Sequence, residues 1–169
     1  MPDYIFDTTV LSNFAVVGRT DLLETRYRDL AFTTVAVADE LRRGFKAGYG
    51  YLESVLRQLE TINPDGWLRL LDPISPAEYR LRTELDQVLD PGEASCLALA
   101  VSRGLTLATD DLAARRLAQE RKVPLTGTCG ILIALVRQQT LPLAEANAIL
   151  MTMIQRHYRA PVDRLDDLI

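Results

Sequence analysis

Tyr4-Ile5-Phe6-Asp7-Thr8-Thr9-Val10-Leu11-Ser12 is the stretch on which the reading of this chain turns. Three apolar residues end on an acid. Two threonines follow, and then apolar residues at helical spacing. A short strand that is apolar throughout reads as buried on both faces, as strands of parallel sheets are. Thr8 or Thr9 reads as the cap of a helix reaching Val17 and stopped by Gly18. The unit places a carboxylate just past the carboxyl end of a strand, where open α/β sheets bind their ligands.

Outward from this stretch the pattern repeats. Leu30 to Thr33 reads as a second strand, and Thr34 caps a helix from Val35 to Arg43. Leu105 to Ala108 is a strand running straight into Thr109-Asp110-Asp111 and a helix from Leu112 to Lys122. Trp67 to Leu71 and Val123 to Thr126 complete the strands, with Pro124 marking the last as an edge. The intervening helices read as Asp21 to Asp29 (capped by Thr20 or Asp21), Tyr51 to Glu60, Pro76 to Leu89 and Glu93 to Arg103. Two more run from Gly127-Thr128 to Gln138 and from Pro142 to about Arg156. Asn63-Pro64-Asp65-Gly66 is a turn. The alternation implies a single-domain α/β fold, three layers (α/β/α) around a short parallel sheet. Residues 1–160 read as the domain and 161–169 as a C-terminal tail.

The composition is that of an ordinary globular chain, with 169 residues, 48% apolar and 25% charged. No run approaches the roughly 20 apolar residues of a membrane span. The N-terminus lacks the basic start and apolar core of a signal peptide, so a cytoplasmic location is expected. Cys96 and Cys129 sit in apolar helical stretches and read as buried reduced thiols. His157 is the single histidine and there is no Cys-x-x-Cys pair. A metal here would be held by oxygen. The net charge of −4 and pI near 5.0 argue against a stable nucleic-acid binder. They argue less against a site of clustered metal-binding acids, which itself adds negative charge.

Four segments offer those acids: Asp7 after the first strand, Glu40 two turns beyond the second, Glu93 at a helix start, and Asp110 with Asp111 after the Leu105 strand. Carboxylates sharing one crevice repel unless a cation intervenes. Hard Mg²⁺ or Mn²⁺ suits an all-oxygen set. Such ions activate water and hold phosphate oxygens, which is sufficient for phosphodiester hydrolysis without histidine. Each acid also has a plainer role. Asp7 fits a helix cap, Glu40 a surface acid, Glu93 a first-turn acid on the helix dipole, and one of Asp110 and Asp111 a cap. Arg42, Arg43 and Lys46 follow Glu40, Arg115 and Arg116 follow the Asp pair, and Thr128 opens a helix. These are the candidate phosphate-binding residues.

In that order the motifs resemble the PIN-domain nucleases. Tyr4 to Ser12 resembles the family's first motif, Val37-Ala38-Asp39-Glu40-Leu41 its second, Pro91-Gly92-Glu93-Ala94 its third, and Leu107-Ala108-Thr109-Asp110-Asp111-Leu112 its fourth. The resemblance covers Tyr4 to about Val136. It implies a PIN-like, Rossmann-like fold and a Mg²⁺- or Mn²⁺-dependent endoribonuclease acting on single-stranded or structured RNA. It implies Asp7, Glu40, Glu93 and Asp110 or Asp111 as catalytic and metal-binding residues. It further implies a homodimer and, in VapC-type toxins, an antitoxin partner. Most relatives carry Asp in the third motif. Here Glu93 stands in a Gly-Glu-Ala setting similar to one bacterial and archaeal subgroup, with Asp90 as the alternative acid. Which of Asp110 and Asp111 faces a metal stays open, because neighbours on a helix start diverge by about 100°.

Two other readings compete. The acidic pI and the Glu93 departure suit a catalytically inactive module that binds a protein partner. A phosphoacceptor receiver domain also sets acids at strand ends, but it wants paired acids after its first strand and a Lys after its last. This chain has Asp7-Thr8 and Thr126-Gly127 at those places.

Overall fold

A computed structural model describes residues 2–169. Met1, the first residue of the domain range read above, lies outside the described residues. In chain order come β1 (Tyr4–Phe6), α1 (Thr8–Val16), α2 (Thr20–Tyr27), β2 (Ala31–Thr34) and α3 (Val35–Lys46). Next are α4 (Glu53–Leu56), β3 (Arg69–Leu71), α5 (Pro76–Leu85), α6 (Pro91–Arg103) and β4 (Thr106–Ala108). The chain finishes with α7 (Leu112–Glu120), β5 (Leu125–Thr126), α8 (Thr128–Arg137) and α9 (Leu143–Gln155).

Among the described residues the strands form one sheet in the order β3-β2-β1-β4-β5. Every pairing is parallel. The chain starts at the centre, winds out to β3, and returns to the other side of β1 as β4. The direction of winding reverses between β1 and β4. That is the switch point at which doubly wound sheets open a crevice at the carboxyl ends of their strands. β1 ends on Phe6 and β4 on Ala108, paired in register. Asp7 and Asp110-Asp111 therefore leave the sheet side by side.

The core is continuous across the layers. Ile5, Phe6, Leu11, Phe14, Leu41, Leu97 and Leu99 are fully buried. α6 is buried along most of its length, from Gly92 through Ala100 except at Glu93. Its small residues Ala94, Ser95, Cys96, Ala98 and Ala100 allow the close approach of α3, α5 and the sheet. Tyr27 stands edge-on to Tyr4 and Phe6, at 4.7 and 5.2 Å between ring centres. Such aromatic geometry is favourable beyond the area it buries.

Several boundaries differ from the sequence reading. The segment read as a helix from Tyr51 to Glu60 is a 3-10 turn at Gly50–Leu52 followed by the single turn of α4. Beyond it Leu59 bridges Leu68 in parallel, and the Glu60 N–H donates to the Leu68 carbonyl at 3.0 Å. Pairing at the sheet edge outcompetes helical propensity there. α5 stops at Leu85 rather than Leu89, and the turn beyond it buries Leu89. α1 is capped by Asp7, not by Thr8 or Thr9. α2 begins at Thr20 after Arg19, with no side-chain cap. β5 lies at the edge, as Pro124 implies.

Residues 161–169 pack on the body. Leu165 is fully buried, and its N–H donates to Asn147 Oδ1 at 2.8 Å. Asn147 Nδ2 donates to Asp166 at 2.8 Å. Cys96 and Cys129 are free and buried. Among the described residues no helix is long and apolar enough to cross a membrane.

Candidate active site

Asp7 lies at the centre of the crevice and is 1% exposed. As the cap of α1 its Oδ1 accepts the N–H groups of Thr9 at 3.0 Å and Val10 at 3.4 Å, and the Thr9 hydroxyl at 2.6 Å. Its Oδ2 accepts the hydroxyl of Thr109 from the end of β4. These donors favour the ionised form. Burial outweighs them, aided by the neighbouring charge of Asp110, and pushes the Asp7 carboxyl up to about 7.

The two threonines that hold Asp7 also hold the turn after β4. Thr9 Oγ1 accepts the Asp110 N–H at 3.1 Å, and Thr109 Oγ1 accepts the Asp111 N–H at 3.1 Å. Beyond this point the adjacent acids part. Asp111 caps α7 through Oδ2, which accepts the Ala114 N–H at 2.8 Å. Asp110 turns the other way. Its carboxylate accepts Asn13 Nδ2 at 3.1 Å, the Thr128 N–H at 2.9 Å, the Thr128 hydroxyl at 2.5 Å and the Tyr158 hydroxyl at 3.2 Å.

Glu40 ties α3 to two other helix starts. Its Oε1 accepts the Gly92 N–H at 2.9 Å, and its Oε2 accepts the Thr8 hydroxyl. Gly92 is needed for this contact, because a Cβ there would lie 2.6 Å from Glu40 Oε2. Glu93 turns back to accept the Asp90 N–H at 3.2 Å through Oε2. Burial first, and then the charges of Asp111 and Asp7, raise its carboxyl to about 7. Asp90 is exposed at the start of α6.

Glu93 and Asp111 line a surface cleft of about 460 Å³, together with Val88, Leu89, Asp90 and Ala113. Asp7 is not in that lining, but its charge reaches Glu93. Val88, in the lining, is 64% exposed, and Leu112, next to Asp111 in sequence, is 82% exposed. Among the described residues no three acidic, histidine or cysteine side chains converge as a ready-made metal site. The donor set is all carboxylate oxygen. One oxygen of Glu93 and one of Asp111 have no protein donor, whereas both oxygens of Asp7 and Glu40 do.

The basic candidates are dispersed. Arg42 pairs with Asp39 at 3.0 Å on the outer face of α3. Arg43 and Lys46 are exposed in the last turn of that helix, Lys46 about 9 Å along the axis from Glu40. Arg116 is exposed on α7. Arg115 donates through one nitrogen to the carbonyls of Thr109 at 2.8 Å and Thr126 at 3.1 Å, clamping the ends of β4 and β5. Thr128 is fully buried, and both its donors serve Asp110. The start of α8 thus already holds a carboxylate at Thr128.

Sequence reasoning took Thr8 or Thr9 for a cap, gave Thr109 no role, and missed the contacts of all three. Thr8, Thr9 and Thr109 sit beside the acids in sequence, which was the available signal. Tyr158 lies 48 residues from Asp110, and local pattern carries no sign of their contact.

A doubly wound parallel sheet with carboxylates at its switch point defines an α/β domain built around an acidic crevice. The family model described as PIN domain matches residues 3–169, and the chain belongs to the PIN-domain family. No curated protein matches it. Among solved structures, the crystal structure of PAE2754 from Pyrobaculum aerophilum is similar with a TM-score of 0.51 at 22% identity. The match covers 83% of this chain and 98% of that one. At that identity the likeness bears on the fold alone.

Proposed function

We propose that this chain is a divalent-metal-dependent endoribonuclease acting on single-stranded RNA. The observation that carries this reading is the set of acids at the sheet's switch point: Glu93 and Asp111 line one cleft, and the charge of Asp7 reaches Glu93. Two of its carboxyls stand at about 7 because burial and neighbouring acids disfavour their charge. A hard cation relieves that repulsion, and carboxylate oxygens alone suit Mg²⁺ or Mn²⁺. Asp7, Glu93 and Asp111 are the residues that would hold it, and Glu40 sets the start of α6 from which Glu93 projects. A bound cation supplies charge for the phosphate oxygens and a more acidic water.

The chain's own groups do the rest. Glu93 lines the cleft with one oxygen free of protein donors, where it can meet a cation. Asp7 is shut from bulk water and held by four donors, so its position is set before any substrate arrives. Arg43, Lys46 and Arg116 are the exposed cations available to phosphates away from the centre.

The resemblance to VapC-type proteins extends this reading to a toxin held in check by an antitoxin and to a second copy of the chain as partner. The exposed Val88 and Leu112 beside the acids support a protein partner at the cleft. The test is cleavage of a labelled single-stranded RNA with Mn²⁺ or Mg²⁺. Cleavage that is lost with EDTA and with Asp7→Asn supports the reading. Cleavage that survives both sinks it, as does no cleavage at all by the wild-type protein.

A further inference from the structure

We propose that Asp110 and Tyr158 form a positioning pair that sets the Thr109–Asp111 turn, and that Asp110 is not itself a cation ligand. The proposal rests on the metal-dependent reading above. Four observations carry it.

First, the Asp110 carboxylate is saturated. Asn13 of α1, the N–H and hydroxyl of Thr128 at the start of α8, and the phenol of Tyr158 all donate to it. Asp7 has as many donors, but its charge reaches Glu93, whereas the donors of Asp110 turn it toward α1, α8 and Tyr158, away from the cleft where Asp111 and Glu93 each keep one oxygen free. Second, no room separates this carboxylate from the chain beneath it. A Cβ at Gly127 would lie 2.6 Å from Asp110 Oδ1. Asp110 is thus packed onto the α8 start, whose N–H groups and dipole favour an anion.

Third, Tyr158 is delivered by a costly turn. His157 follows α9 with φ 78, a left-handed conformation that non-glycine residues rarely adopt. The His157 N–H donates to Ile154 O and the Tyr158 N–H to Met153 O, which closes the helix. The turn sends the Tyr158 phenol to Asp110 at 3.2 Å and beside Cys129 Sγ at 3.7 Å. Fourth, Asp110 sits between two hydrogen bonds that reach Asp7. Its own N–H donates to Thr9 Oγ1, and the following N–H, of Asp111, donates to Thr109 Oγ1. Both hydroxyls donate to Asp7. A pull on Asp110 from the C-terminal segment is therefore transmitted to Asp7 and Asp111 together.

Outer partners of metal-holding groups commonly change affinity or rate by about 10–100-fold when removed. Tyr158→Phe deletes one donor without changing the packing volume and is the cleanest probe. Amide NMR of the metal-free protein reads the transmission directly: Tyr158→Phe should shift the Thr109, Asp110 and Asp111 amides. Mn²⁺ titration of Asp110→Asn should keep the wild-type stoichiometry, with affinity reduced about tenfold, whereas Asp111→Asn abolishes uptake. RNA cleavage by Tyr158→Phe should lose kcat with KM unchanged.

Asp110→Asn losing Mn²⁺ as completely as Asp7→Asn overturns the proposal by making Asp110 a ligand. Unmoved amides at Thr109–Asp111 in Tyr158→Phe overturn it by removing the coupling. A wild-type protein that cleaves no RNA refutes the nuclease reading, while the amide shifts still decide the pair.

Discussion

Glu40 accepts the Gly92 N–H at 2.9 Å, and in doing so joins the middle of α3 to the start of α6. The contact fixes where Glu93 enters the cleft, one residue further on. It depends on the missing side chain at position 92, since a Cβ would meet both Glu40 oxygens at 2.6–2.7 Å. Gly92→Ala should therefore push α6 and Glu40 apart. A loss of roughly 1–3 kcal/mol is expected from overpacking, with RNA cleavage falling at least tenfold. Thermal melts and cleavage rates check it. Wild-type values in both would show that the contact is dispensable.

Asp7 makes the metal-free protein pH-sensitive. Its carboxyl releases its proton near 3.8 when unfolded and near 7 when folded. Between those values the folded chain holds the extra proton, so stability falls as pH rises. Asp7→Asn removes the loss. The metal-free variant should melt several degrees above wild type at pH 7.5, by on the order of 1–3 kcal/mol. The two should converge near pH 4. The same variant is expected to be inactive on RNA, so stability and activity move in opposite directions.

A cation bound at these acids must displace protons from Asp7 and Glu93, both near 7. Mn²⁺ affinity should therefore rise between about pH 6 and pH 8 and release protons into the buffer. At 100 times its dissociation constant Mn²⁺ should stabilise wild type by about 2.7 kcal/mol. EDTA should reverse this, and Glu93→Gln should weaken it. Calorimetry in buffers of different ionisation enthalpy measures the proton count; pH-independent binding would exclude these two carboxyls as ligands.

Away from the site, Glu78 shows the opposite sign. Arg103 at 3.0 Å, with the Ile74 and Ser75 N–H groups and the Ser102 hydroxyl, holds its carboxyl down to about 2 despite burial. The stability it contributes is present above its ordinary value of 4.5 and is lost as pH falls toward 2. Glu78→Gln should cost roughly 1–3 kcal/mol at pH 7, and the difference should close in acid. Denaturant melts at pH 7 and pH 3 test it.

The fold class was legible because strand and helix periods are local. Tyr4–Phe6 and Thr106–Ala108 are short and mostly apolar, with no alternation of polar residues, which fits a sheet covered on both faces. The acids were legible for the same reason, since each follows a strand or opens a helix. The segment at Leu59 was not, because its state depends on a partner strand nine residues away.

By itself, the sequence determined that this is a parallel α/β chain with carboxylates at strand ends, in the order of the PIN-domain motifs. Tertiary structure alone decided what each carboxylate faces. Asp110 and Asp111 are neighbours with the same chemistry, and no local rule separates them. Asn13, Thr128 and Tyr158 converge on the first from three distant segments, and Glu93 shares a cleft with the second. Hydrogen-bond satisfaction is a property of the assembled surroundings, so the division of roles within Asp110-Asp111 exists only once the helices have packed.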